Sequence, residues 1–237
     1  MILHYMMMFN LQRYAYKSII TLDNIMPDFS IENEILKLKN NKECIIVGVD
    51  EVGYGSLAGP VVSAAVFFPN YNNEITQDIN DSKKLTSKTR QKIYNKIITK
   101  VKWSIGFAHI FEIDEYNILN ATHIAMKRAL TGLNAHIDID YVIIDGNKIP
   151  NIPWNAQAIT GGDTISTSIA AASIIAKVTR DRLMETLHIQ YPQYNWNKNK
   201  GYGTKDHIAS LYKYGKTIHH RNTFTPISKI SYMFKNS

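Results

Sequence analysis

Residues 44–49 form an apolar run interrupted by Gly48 alone and rich in Ile and Val, the pattern of a strand buried on both faces. The run stops at Asp50 and Glu51, then enters a turn holding Gly53, Gly55 and Gly59 and closed by Pro60. Residues 61–68 read as a second strand, and the connection is too short for a parallel crossover, so the two pair antiparallel. After a polar loop, Thr86 is placed to cap a helix reaching about residue 100, with Ile93, Tyr94, Ile97, Ile98 and Val101 as its apolar stripe. Residues 102–110 alternate through Trp103, Ile105 and Phe107, as a half-buried strand does. Helix is predicted over 112–134, in two pieces, and over 164–188, with Pro192 beyond its end. Between them lie short strands over 141–144 and 156–160, followed respectively by Asp145 and by Gly161, Gly162 and Asp163. From residue 194 the chain turns basic and aromatic, with a helix over about 205–214 stopped by Gly215.

Meandering strands followed by strands alternating with helices give an α/β fold, a mixed sheet covered by helices. In such sheets functional groups collect at the carboxyl ends of parallel strands. Asp50, Glu51, Asp145 and Asp163 stand at or just beyond such ends, and only folding can assemble acids so far apart in sequence. Carboxylates at the mouth of a buried sheet lose solvation unless a cation or hydrogen bonds offset it. Asp50 and Glu51 by themselves fit a solvated strand end better than a metal site; the company of Asp145 and Asp163 shifts the balance. Four oxygen donors without clustered cysteines or a paired histidine motif suit Mg²⁺ or Mn²⁺ rather than structural zinc. Two such ions serve in-line phosphodiester displacement, which points to a metal-dependent nuclease and leaves other phosphoryl-transfer enzymes open.

Bulk composition narrows the partners. The chain has 237 residues, enough for one large domain with or without an appendage, and 27 Lys and Arg against 20 Asp and Glu give it a formal charge of +7. That balance favours a polyanion. The single cysteine, Cys44, sits inside the first apolar run, which excludes an intramolecular disulfide and fits a reducing, cytoplasmic setting. No stretch approaches the ~20 apolar residues that span a bilayer. Residues 1–25 show neither a secretory pattern nor a clear period and are expected to form a weakly ordered extension ahead of a unit over 26–237.

Taken together, several segments resemble the ribonuclease HII family, the type 2 ribonucleases H. They are residues 48–60, 81–85, 144–147, 161–181 with the small-residue core 168–177, 201–204, and 220–224. The resemblance implies a ribonuclease H-like five-stranded mixed sheet flanked by helices, with a helical C-terminal extension from about residue 190. It implies hydrolysis of the RNA strand of RNA–DNA hybrids and nicking 5′ to single ribonucleotides in duplex DNA, leaving 3′-hydroxyl and 5′-phosphate ends. It implies two Mn²⁺ or Mg²⁺ ions on Asp50, Glu51, Asp145 and Asp163, and a monomer acting on hybrid or ribonucleotide-containing duplex. In that family the 2′-hydroxyl is read by the backbone of a glycine-basic-glycine turn and by a tyrosine, here Gly53, Tyr54, Gly55 and Tyr202. Glycine there lets main-chain groups approach the sugar.

Two departures stand out. Tyr54 replaces the family's usual Arg, removing a guanidinium that would contact phosphate, and Asn222 with Thr223 replaces the more usual Arg-Ser. Ser82, Lys83 and Lys84 resemble the family's phosphate-contacting loop, with a solvated basic turn as the plain alternative. Lys177, Arg180 and Asp181 read as structural, since Lys177 and Asp181 pair at i,i+4, and His220 reads as a packed or hydrogen-bonded residue.

Rival readings make different demands. A dinucleotide-dependent oxidoreductase would use Gly53, Gly55 and Gly59 ahead of a helix, but a β-branched strand follows Pro60. A non-catalytic basic nucleic-acid-binding protein would share the charge without cutting. A type 3 ribonuclease H would need a folded N-terminal domain for which the residues before Cys44 are too few.

Overall fold

The computed structural model describes residues 26–40, 43–71, 76, 78–79 and 86–233. The expectations for residues 1–25 and for Ser82, Lys83 and Lys84 lie outside the described residues. Five strands, β1 (Ile46–Val52), β2 (Val61–Phe67), β3 (Lys102–Ala108), β4 (Tyr141–Asp145) and β5 (Asn155–Ile159), form one sheet in the order β3-β2-β1-β4-β5. β1 pairs antiparallel with β2 and β2 with β3, whereas β1 and β4, and β4 and β5, run parallel. The mixed sheet expected from the sequence is therefore present.

Side-chain alternation divides this sheet between two helical layers. Val47, Val49 and Ala65 pack with Met126, Ala129 and Leu130 of α3 (Ile110–Asn134). Ala64 and Val66 face the opposite way, onto Ala170, Ala171 and Ile174 of α4 (Thr167–Gln190) and Ile93 and Ile97 of α2 (Ser87–Ile97). The small residues of α4 bring its backbone down onto the sheet: a Cβ on Gly48 would lie 2.3 Å from the Ser168 carbonyl carbon. From α1 (Ser30–Lys39) the buried Glu32 accepts hydrogen bonds from Ser166 Oγ and Ser168 N at the start of α4. An acid there also complements the positive end of the helix dipole.

Element edges show where sequence pattern stops being informative. β1 runs on through Asp50 and Glu51 to Val52 instead of ending at Val49, because only its pairing with β4 ends at Val49↔Ile144. Pairing with β2 continues through Asp50↔Ala64, Glu51↔Ser63 and Val52↔Val62. A short 3₁₀ turn, Gly162–Thr164, precedes α4, which starts only at Thr167 because Ser166 caps it by accepting from Ile169 N. Thr86 caps α2 as expected, and α3 breaks at Asn117 (φ 68°), giving the two predicted pieces.

The C-terminal segment is helical, with α5 (Trp196–Asn199), α6 (Lys205–Tyr214) and α7 (Ile227–Met233). Its apolar residues Tyr194, Trp196, Leu211 and Ile227 close over Leu57, Ala58 and Met184. The extension is thus fastened to the turn that leaves β1.

Candidate active site

The alternation that sends Ile46 and Gly48 toward α4 sends Asp50 there too, and Ile143 and Asp145 take the same side on the neighbouring parallel strand. Asp50 is 4 % exposed, and its Oδ1 accepts from Glu51 N at 2.7 Å. Its main-chain oxygen accepts from Ser63 Oγ. Burial first, then the charges of Glu51 and Asp145, push its carboxyl well above the usual carboxylate range; a hydrogen bond with Ser173 opposes them, and Asp163 adds to the rise. Asp145 Oδ1 accepts from Gly162 N at 2.7 Å, tying the end of β4 to the turn that carries Asp163.

Asp50, Glu51 and Asp145 line one open pocket of about 440 Å³ together with Gly53, Tyr54, Gly55 and Tyr202. Asp163 is 1 % exposed and is not among the residues lining the pocket, but it lies within electrostatic reach of Asp50. Among the described residues no three Asp, Glu, His or Cys side chains already stand in a chelating cluster. The donor set nevertheless fits a hard divalent cation, since it offers carboxylate oxygens whose mutual repulsion and burial only positive charge relieves.

Gly53 and Gly55 differ in what they do. Gly53 is buried with φ +92°, and a Cβ there would collide with the Arg180 guanidinium at 2.2 Å, so internal packing alone already requires glycine here. A Cβ on Gly55 would meet nothing within 4 Å, so this position leaves room for a close approach. Gly201 is likewise buried, its would-be Cβ 2.4 Å from Ala58 O, although its sequence suggests an exposed loop. Tyr202 itself is half-buried, with Lys177 Nζ and Arg180 Cζ over its ring at 5.8 and 5.6 Å.

Two cations join the pocket that the sequence reading did not place there, Arg90 and Lys177. Lys177 pairs with Asp181 at 2.8 Å, as the i,i+4 spacing predicts, and lines the pocket as well. Arg90 had a legible signal: it stands in phase with Ile93, Tyr94 and Ile97 on the buried stripe of α2, where an arginine is out of character. Asn222 and Thr223 are exposed and donate four hydrogen bonds, two from main-chain N–H groups and two from side chains, to the Asp114 carboxylate. The glycine turn after β1 leads into β2 and not into a helix, which removes the dinucleotide reading.

Against known proteins, the family model described as Ribonuclease HII matches residues 47–230. The chain is 98 % identical over 216 residues to Ribonuclease HII of Ehrlichia ruminantium (strain Gardel), covering 91 % of this chain and 98 % of that one. It is 75 % identical over 209 residues to Ribonuclease HII of Ehrlichia chaffeensis, covering 88 % and 99 %. Its fold is similar to that of ribonuclease H2 from Pyrococcus horikoshii OT3, with a TM-score of 0.66 at 24 % identity over 81 % of this chain and all of that one. It is also similar in fold to Bst-RNase HIII in complex with Mn²⁺, with a TM-score of 0.67 at 19 % identity over 82 % and 71 %.

Proposed function

We propose, from the premise that this chain belongs to the ribonuclease HII family and is a hydrolytic endonuclease with ribonuclease H activity, that it also nicks duplex DNA 5′ to a single embedded ribonucleotide. The observation that carries this reading is one pocket holding both halves of such a site: the acids Asp50, Glu51 and Asp145, and the sugar-reading candidates Gly53, Tyr54, Gly55 and Tyr202.

Asp50, Glu51, Asp145 and Asp163 are the proposed ligands of two Mn²⁺ or Mg²⁺ ions. When bound, such ions supply an activated water and charge for the departing 3′-oxygen. The chain itself does the rest. β1 and β4 hold Asp50 and Asp145 on one side of the sheet, and the Gly162 N–H fixes one oxygen of Asp145. Lys177 and Arg90 line the same pocket as the acids and are proposed partners for backbone phosphates. Gly55 leaves open space beside its main chain for a ribose, and Tyr202 offers a ring contacted by Lys177 and Arg180. Ser82, Lys83 and Lys84 are proposed to extend this phosphate track.

The test is end-mapping of a DNA duplex with one ribonucleotide, incubated with Mg²⁺, Mn²⁺ or chelator. The expected product is one metal-dependent nick 5′ to the ribonucleotide with a 3′-hydroxyl and a 5′-phosphate. Asp50→Asn and Asp145→Asn should each cut at least ~10²-fold more slowly while remaining folded. Equal cutting of an all-DNA duplex would defeat the specificity half of the proposal.

A further inference from the structure

Arg221 is fully buried, and among the described residues no carboxylate lies within ion-pair distance of it. Every hydrogen bond of its guanidinium goes to a main-chain carbonyl of the turn after β1. Nη2 donates to Gly53 O at 2.6 Å and Gly59 O at 2.9 Å, Nη1 to Tyr54 O at 2.9 Å, and Nε to Gly59 O at 3.1 Å. Beside it Arg180, also fully buried, donates to Pro60 O, Ala58 O and Lys200 O. Two adjacent guanidiniums with no carboxylate in ion-pair contact, only Asp114 and Asp181 acting from farther off, are an expensive way to fill a core, and apolar residues would fill the same volume at less cost. Stability alone does not account for them.

Their geometry does. A trans peptide points its N–H opposite to its C=O. With the carbonyls of Gly53 and Tyr54 drawn in toward Arg221, the N–H groups of Tyr54 and Gly55 turn outward, to the side where the pocket lined by these residues opens. Around Gly55 that side is clear. The turn therefore presents main-chain donors suited to an acceptor oxygen, such as that of a ribose 2′-hydroxyl, which a deoxyribose lacks. A lysine could not serve as well, because a point charge cannot hold three carbonyls in a fixed fork.

We infer that Arg221, from the C-terminal segment, is a positioning residue for ribose recognition, aiming the Tyr54 and Gly55 N–H groups into the pocket by pinning the carbonyls behind them. The inference rests on reading this pocket as the ribonuclease H site. It is tested by fluorescence anisotropy in EDTA, comparing Kd for a duplex with one ribonucleotide and for the same duplex in all-DNA form.

Wild type should favour the ribonucleotide duplex. Arg221→Lys should lose about tenfold of that preference, the equivalent of one lost hydrogen bond, while its Kd for all-DNA duplex moves less than twofold. Phe224→Leu removes the ring 5.1 Å from the Arg221 guanidinium without removing its donors. It should lower the melting temperature yet keep the preference. Retention of the preference by Arg221→Lys, or equal loss in both variants, would overturn the inference. Should Arg221→Lys fail to fold, Gly55→Pro, which deletes one of the donors directly, decides by the same ratio: loss supports the inference and retention overturns it. A wild type that binds both duplexes alike would instead sink the functional reading, and the inference with it.

Discussion

At the scale of single residues, Asp50 is held in a state it would not choose alone. It is buried beside Glu51 and Asp145, and both surroundings and neighbours disfavour its charge. Asparagine keeps the shape and can still accept from Glu51 N. In metal-free buffer Asp50→Asn should therefore be more stable than wild type by about 1 kcal/mol or more. Adding Mn²⁺ should raise the melting temperature of wild type and leave that of the variant nearly unchanged. Thermal melts in EDTA and in Mn²⁺ check both halves, and a variant less stable than wild type in EDTA would contradict the account. The identity of this acid was readable from its position after an apolar run. Its burial was not, since it depends on β2 continuing alongside β1 after β4 has ended. Arg90 shows the converse, a residue whose phase on α2 was readable but whose destination only the packed structure reveals.

At the scale of elements, the seating of α4 on β1 sets the geometry of the acids. Gly48 lies two residues before Asp50 on the same side of the strand. A Cβ there would meet backbone atoms of Ser168 and Ile169 at 2.3 and 2.6 Å. Neither neighbour is a flexible side-chain end, so the helix itself must shift, carrying Ser173 away from Asp50. Gly48→Ala should cost about 3 kcal/mol in a urea titration, at the upper end of ordinary overpacking. It should also lower cleavage more than Ala substitutions at exposed positions of α4. An unchanged urea midpoint would show that the helix can yield more than this packing implies. The five strands and helices α2, α3, α4 and α6 were legible from period and turn chemistry, whereas α1, α5 and α7 were not predicted. The start of α4 was displaced because Ser166, a cap on local grounds, also answers to Glu32 on a remote helix.

At the scale of the whole molecule, the C-terminal segment is bound to the pocket through a line of buried and partly buried hydrogen bonds. Thr217 N donates to His220 Nδ1, His220 Nε2 meets His207 Nε2 at 3.2 Å, and His207 Nδ1 donates to Tyr202 O. Trp196 Nε1 also donates to His207 Nε2. Every acceptor nitrogen in this line is occupied, so both rings must be neutral. Burial lowers the affinity of both for a proton, and the neighbouring His207 helps bring His220 from 6.5 to about 3. Because the folded value lies below the unfolded one, acidification protonates the unfolded chain first. The stabilisation is complete above pH 6.5 and drains away as pH falls from there toward 3. By pH 5 His220 alone should account for about 2 kcal/mol. Chemical denaturation at pH 7.5 and pH 5 should show this loss in wild type and a smaller one in His220→Gln; equal losses would remove histidine from the explanation.

The sequence alone determined the class of the fold and the order of its strands and longer central helices, and singled out the four candidate acids and the glycine turn, because period, capping and turn chemistry are local and survive in one dimension. Tertiary structure decided how these meet. It packed Gly53 against Arg180, buried Asp163, brought Arg90 into the pocket and set Arg221 against the carbonyls of the turn after β1. Each of these depends on which remote backbone a side chain meets, a property of packing between segments that no local pattern encodes.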